Sequence, residues 1–149
     1  MTEGLSDEPV VILGGGNSAL AMAGDLALQG REVRLYEHES QADSFQALRE
    51  KRKLVVQSGG AGEKTQEVRL TMATHDLEEA MAGVSFIHLV VPSFVQDLFF
   101  GQLLPLLRPA HTVVVWAGRF GASRLAHLCH TSTGKQADFT IVEASTVPY

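Results

Sequence analysis

Residues 11–20 read VILGGGNSAL: a β-branched apolar run, three consecutive glycines, then Asn17 and Ser18 leading into small apolar residues. Glycine inside a regular element costs roughly 0.5–1 kcal/mol relative to alanine, so three in a row ask for a backbone reason. The flanks supply it. PVVIL (9–13) reads as a buried first strand. Residues 17–29 read as a helix, with Ala19, Ala23 and Ala27 repeating every four positions and Gly30 placed as a left-handed stop. REVRLYE (31–37) alternates Val33 and Leu35 with Arg34 and Tyr36, a second strand. The glycines therefore sit at a strand-to-helix turn inside a βαβ unit of about thirty residues.

At such a turn Gly14-x-Gly16-x-x-Ala19 has a mechanical reading. Gly14 allows the tight turn, Gly16 leaves room for a pyrophosphate, and Ala19 permits close helix–strand packing. The free N–H groups of the first helical turn then face the phosphates, assisted by the helix dipole. Gly15 completes the cradle, and Asn17 and Ser18 add side-chain donors. Glu37 ends the second strand, 18 residues beyond Ala19, where a carboxylate accepts both ribose hydroxyls of an adenosine and repels a 2′-phosphate. The expected cofactor is NAD rather than NADP, although His38 and Arg34 lie close enough to soften the preference. A plain glycine-rich loop and a solvated glutamate would explain these residues separately. Their order along one unit explains them together.

The rest of the chain continues the alternation. Ser40 and Asp43 form an S-x-x-D capping box opening a helix to about Arg52. KLVVQ (53–57) and TQEVRLTM (65–72) read as two strands of a hairpin insertion around the glycines of SGGAGEK, a mobile turn. THDLEEAMAG (74–83) is a short helix with acidic residues in its first turn. VSFIHLVV (84–91) is a strand covered on both faces, ended by Pro92, with Ser93 and Gln96 as the capping box of a helix at 94–104. HTVVVWAG (111–118), ASRLAHLCH (122–130) and FTIVEAS (139–145) follow as strand, helix and strand. This order predicts an α/β fold, a doubly wound parallel sheet of the Rossmann type with a β-hairpin insertion near 53–72.

Composition bounds what the domain does. The 149 residues suit one domain, expected at 9–149 behind a flexible tail at 1–8. A net charge of −5 with no basic block leaves no electrostatic footprint for nucleic acid. No run approaches the roughly 18 apolar residues of a membrane span. The polar, acidic start MTEGLSDEP reverses the order of a signal peptide. Cys129 is the single cysteine, so no internal disulfide forms. These features predict a cytoplasmic protein.

Four stretches carry a family resemblance: LGGGNSALAMAGDLALQGREVRLYE, THDLEEAMAGVSFIHLVVPSFVQDLF, WAGRFGA and VEASTVPY. Together they run from about residue 10 to the end of the sequence, and they resemble the octopine (opine) dehydrogenases in their N-terminal nicotinamide-binding domain. Ala117 stands where that family commonly shows proline. The resemblance implies an enzyme that uses NADH or NADPH to condense an amino acid with a 2-oxo acid and reduce the imine. It also implies a second, mostly helical domain with the catalytic His–Asp pair, so no catalytic residue is assigned here. The 149 residues are expected to be the cofactor domain of a longer enzyme, or a truncated protein unable to catalyse alone.

Further residues carry weaker readings. Val91, Pro92 and Ser93 lie at the carboxyl end of a sheet strand, where open α/β sheets place ligands, and are expected to meet the cofactor. Arg119 reads equally as an anion-holding fork or as an exposed loop cation. Glu143 and Thr146 have no assigned role. HLCH (127–130) is not read as a metal site, because Cys129 points away from His127 on a helix and no second cluster completes a ligand set. His88 reads as a hydrogen-bonded core histidine. Phe94, Val95, Leu98, Phe99, Phe100, Leu103 and Leu104 exceed a one-sided apolar stripe, suggesting that the 94–104 helix meets a second domain or another subunit. Two other functions remain open: a stand-alone NAD-sensing module, and the cofactor domain of a ketopantoate- or glycerol-3-phosphate-reductase-like enzyme.

Overall fold

The computed structural model describes residues 8–57 and 64–148; the expected tail at 1–8 and the turn of the hairpin insertion fall almost wholly outside them. Among the described residues eight strands and five α-helices follow one another: β1 (Val10–Leu13), α1 (Asn17–Leu28), β2 (Val33–Tyr36), α2 (Ala42–Lys51), β3 (Lys53–Gln57), β4 (Thr65–Arg69), β5 (Met72–Thr74), α3 (Leu77–Met81), β6 (Phe86–Leu89), α4 (Gln96–Leu103), β7 (Thr112–Val115), α5 (Gly121–Thr133) and β8 (Thr140–Glu143).

Six strands form one parallel sheet in the order β5-β2-β1-β6-β7-β8. Counting only its own members, this is 3-2-1-4-5-6, the doubly wound order that reverses direction between its first and fourth strands. The reversal lies between β1 and β6, paired through Val11↔Ile87, Ile12↔His88 and Leu13↔Leu89. β1 is buried along its whole length, as a central parallel strand must be. Alternate residues divide between two cores. Val11, Leu13, Ile87, Leu89, Val113 and Val115 pack against α3, α4 and α5. Val10, Ile12, Val33 and Leu35 pack against Ala19, Met22 and Ala23 of α1 and Phe45 of α2.

The hairpin insertion is shorter than the sequence pattern suggests. β3 and β4 pair antiparallel from Lys53↔Arg69 to Gln57↔Thr65. The run 65–72 is not one strand, because Leu70 turns its fully buried side chain into the core and the Leu70 N–H bonds the Arg52 carbonyl. Met72–Thr74 then leaves the hairpin and pairs parallel with β2 as the sheet edge. Burying Leu70 and satisfying the edge of β2 together outweigh continuation of the hairpin.

Two helix starts also differ from expectation. Ser40 does not cap α2: His38 Nδ1 accepts from the Ser40 N–H and opens a short 3-10 turn at 39–41, and α2 begins only at Ala42. Ser93 does not cap α4 with Gln96. The Gln96 side chain is fully buried and accepts from Arg124 Nη2 instead, so the helix starts without a side-chain cap. By contrast, Asp76 caps α3 through the Glu79 N–H at 3.0 Å. Among the described residues no helix is long and apolar enough to cross a membrane.

Candidate functional site

The glycine turn lies at the point where the sheet reverses. Gly14 has φ of 119°, and its N–H bonds the Tyr36 carbonyl of β2. A Cβ there would stand 2.5 Å from the Val90 carbonyl oxygen and 2.7 Å from Val91, so only glycine lets β1 pass this close to the end of β6. Gly16 contrasts with it. It is the residue before α1, in ordinary extended backbone at φ −75°, and nothing lies within 4 Å of an added Cβ. Open space therefore faces the start of a 12-residue helix whose first turn has no side-chain cap. That is the geometry in which main-chain N–H groups and the dipole bind an anion.

Glu37 closes the other side. Its carboxylate is buried, Oε1 accepts from the His38 N–H at 2.7 Å, and Oε2 faces the glycine turn. A Cβ on Gly15 would come within 2.6 Å of Oε2, so Gly15 makes room for this carboxylate. Glycine turn and acid thus meet across the end of the sheet although 21 positions separate Gly16 from Glu37.

A cavity of about 310 Å³ opens between them. Of the residues singled out from the sequence, Gly15, Gly16, Glu37, Val91 and Pro92 line it. Gly14 does not line it, nor do Asn17 and Ser18, which form the first turn of α1. Ser93 does not line it: its carbonyl accepts from Arg124 Nη2, which ties it to α5. Gln41 and Ser44, which the sequence reading passed over, join His38 and Ser40 in a polar wall of the cavity, and Phe94 and Leu98, read from the sequence only as part of a wide apolar stripe, form an apolar one. Phe94 is 85% exposed and Leu98 46%, whereas Phe99, Phe100 and Leu103 are buried within the domain. Part of the excess apolar surface of the 94–104 segment therefore belongs to this cavity. The signal was present in the unusually wide apolar stripe, but its direction needed the fold.

The loop after β7 is the most strained backbone nearby. Ala117, Arg119 and Phe120 all have positive φ, at 49°, 46° and 65°. Proline, locked near −65°, cannot adopt the Ala117 conformation. Glu143 at the end of β8 secures this loop, its two carboxylate oxygens accepting from the Phe120 and Ala122 N–H groups at 2.9 Å each. It acts as the missing cap of α5, since Phe120 supplies none. Arg119 is exposed on the loop and does not line the cavity.

Elsewhere, His88 accepts a hydrogen bond from the indole N–H of Trp116 at 3.1 Å, and burial pushes its pKa down. Cys129 is buried in the core beside Thr133, while His127 and His130 are exposed.

A parallel sheet of this order, with a glycine turn at its reversal and an acid ending the second strand, defines a Rossmann-type dinucleotide-binding domain. Residues 9–126 match the N-terminal domain of NAD-dependent glycerol-3-phosphate dehydrogenases, and the chain belongs to that family. It is similar to Protein ocs of Agrobacterium tumefaciens (strain Ach5), 33% identical over 142 residues that make up 94% of this chain and 37% of that protein. It is also similar to octopine dehydrogenase in complex with NADH and agmatine, at a TM-score of 0.76 and 26% identity over 95% of this chain and 36% of that one. Glycerol-3-phosphate dehydrogenase from Coxiella burnetii follows at a TM-score of 0.61 and 25% identity, over 86% of this chain and 38% of that one. The chain thus spans somewhat more than a third of the length of these relatives. It is an NAD-binding domain of an oxidoreductase family.

Proposed function

We propose that this chain is the NAD(H)-binding domain of an opine-dehydrogenase-like oxidoreductase, which reduces the imine formed between an amino acid and a 2-oxo acid. The observation that carries the cofactor assignment is the meeting of Glu37 Oε2 with the glycine turn across one cavity. In this reading the pyrophosphate lies on the open side of Gly16, against the first turn of α1, where Asn17 and Ser18 add donors. Glu37 Oε2 accepts from the adenosine ribose. Phe94 and Leu98 cover the adenine, together with the polar wall of His38 and Ser44. Val91 and Pro92 guide the chain of the cofactor over the sheet reversal. Bound there, the nicotinamide supplies a hydride. The residues named bind and orient it and keep water from its adenosine half.

The choice of NADH over NADPH rests on charge. A 2′-phosphate would meet the buried Glu37 carboxylate, and no lysine or arginine lines the cavity to offset it among the described residues. The opine reading rests on the likeness to octopine dehydrogenase structures with L-arginine and with pyruvate, each alongside NADH. Acid–base chemistry and most substrate contacts would come from a second domain. The family match favours one rival, a glycerol-3-phosphate dehydrogenase. Calorimetric titration of the chain with NADH and NADPH tests the cofactor assignment, and equal or tighter NADPH binding refutes it. NADH oxidation by the full gene product with L-arginine plus pyruvate supports the opine reading. NAD reduction with glycerol 3-phosphate overturns it in favour of the rival.

A further inference from the structure

Glu37 lies one residue past the last paired position of β2, Tyr36↔Thr74. Its N–H reaches the Thr74 carbonyl at 3.2 Å, but among the described residues no strand pairs with its own carbonyl. An unpaired carbonyl here would leave the backbone free to rotate, and with it the direction of the carboxylate. The His75 ring fills this gap, with Nδ1 2.7 Å from the Glu37 carbonyl oxygen. A carbonyl only accepts, so Nδ1 carries the proton. Nε2 is buried without a hydrogen-bond partner, which suits a ring nitrogen bearing no hydrogen.

His75 is itself held from three sides. Thr74 before it belongs to β5, and Asp76 after it caps α3 and donates its N–H to Thr74 Oγ1 at 3.0 Å. The Phe45 ring of α2 packs on the imidazole with centroids 5.2 Å apart. Strand, helix cap and aromatic neighbour thus fix one donor at one point. The feature served by that donor is the backbone of the single buried acid in the cavity.

We propose that His75 is a positioning residue for the cofactor's ribose: it locks the Glu37 main chain so that Oε2 stays aimed at the glycine turn. The proposal rests on the reading of Glu37 as the ribose acceptor. His75 touches no cofactor atom in this scheme and acts only through Glu37.

Two substitutions separate positioning from structural support. His75→Leu keeps bulk against Phe45 and removes the donor, whereas His75→Asn keeps an amide N–H close to the Nδ1 position. NADH and ADP-ribose affinities are titrated for both in the natural chain and in a Glu37→Ala background, with melting temperatures recorded alongside. His75→Leu is expected to weaken both ligands about threefold to tenfold, the worth of one net hydrogen bond. His75→Asn restores most of the loss, and in the Glu37→Ala background His75→Leu changes neither affinity. An equal loss in that background overturns the proposal, as does full affinity in His75→Leu or failure of His75→Asn to rescue. If the natural chain binds neither ligand, the ribose reading falls and takes this one with it. If Glu37→Ala weakens binding and His75→Leu does not, only the positioning role falls.

Discussion

Adjacent glycines in this turn should fail in opposite ways when substituted. Gly14→Ala forces a Cβ onto a residue at φ 119°, a strain of about 1–3 kcal/mol. The new carbon also stands 2.5 Å from the Val90 carbonyl oxygen. That atom belongs to backbone leaving the central strand β6, so it cannot swing aside as a side-chain tip would. Overpacking of this kind costs about a further 1–3 kcal/mol. A total near 4 kcal/mol lowers the melting temperature by about 8–16 °C in a domain of this size. At Gly16 an added Cβ meets no atom within 4 Å and the backbone is one that any residue adopts, so Gly16→Val should move the melting temperature by only about 2 °C. Its branched side chain instead fills the space before α1. Loss of two charge-assisted hydrogen bonds to a pyrophosphate, about 1.5–3 kcal/mol each, weakens NADH by at least about 100-fold. Thermal melting and NADH titration of both variants are the assay. A Gly16→Val protein that melts early and binds normally, or a Gly14→Ala protein with natural stability, would refute the division of labour described for this turn.

Other perturbations probe the surroundings. Glu37→Ala should weaken NADH about tenfold to 100-fold while sparing NADPH, narrowing the ratio of the two dissociation constants measured by calorimetry. Glu143→Ala removes the acceptor of the Phe120 and Ala122 N–H groups, so stability should fall by about 1–2 kcal/mol, comparable to a lost helix cap. ADP-ribose binding should stay unchanged; unaltered melting would show that the strained loop does not depend on this carboxylate. His88 has its pKa lowered by burial, so the unfolded chain takes up its proton first as pH falls. Its contribution to stability is complete above the ordinary histidine value of about 6.5 and is lost as pH falls through the lower folded value. Protonation also removes the acceptor for the indole N–H, and Trp116 is the sole tryptophan, so its fluorescence should change with the same titration and His88→Asn should abolish that change.

Much of the fold was legible because parallel sheets bury their strands on both faces and write them as near-continuous apolar runs. VVIL, FIHL and TVVV are such runs, and each became a strand between Rossmann helices. The glycine spacing and Glu37 were also readable, since the first βαβ unit folds from residues close in sequence. Less legible were the elements decided by competition at a distance. Met72 was read into a hairpin strand and Thr74 into the following helix, but the free edge of β2 offered Met72–Thr74 parallel partners. Ser40 and Ser93 had the spacing of capping boxes. Yet His38 took the Ser40 N–H, and the Gln96 side chain was drawn inward to Arg124.

Local chemistry by itself therefore determined the parallel sheet, the glycine-turn motif and the acid that ends the second strand. Tertiary packing decided which groups face one another: Gly15 against Glu37, His75 beneath the Glu37 carbonyl, Glu143 over the loop after β7, and Phe94 and Leu98 at the cavity mouth. The physical reason is range. Strand and helix patterns arise from neighbours a few positions apart, whereas each of these contacts joins separate elements, and its distance exists only once the sheet has set their order.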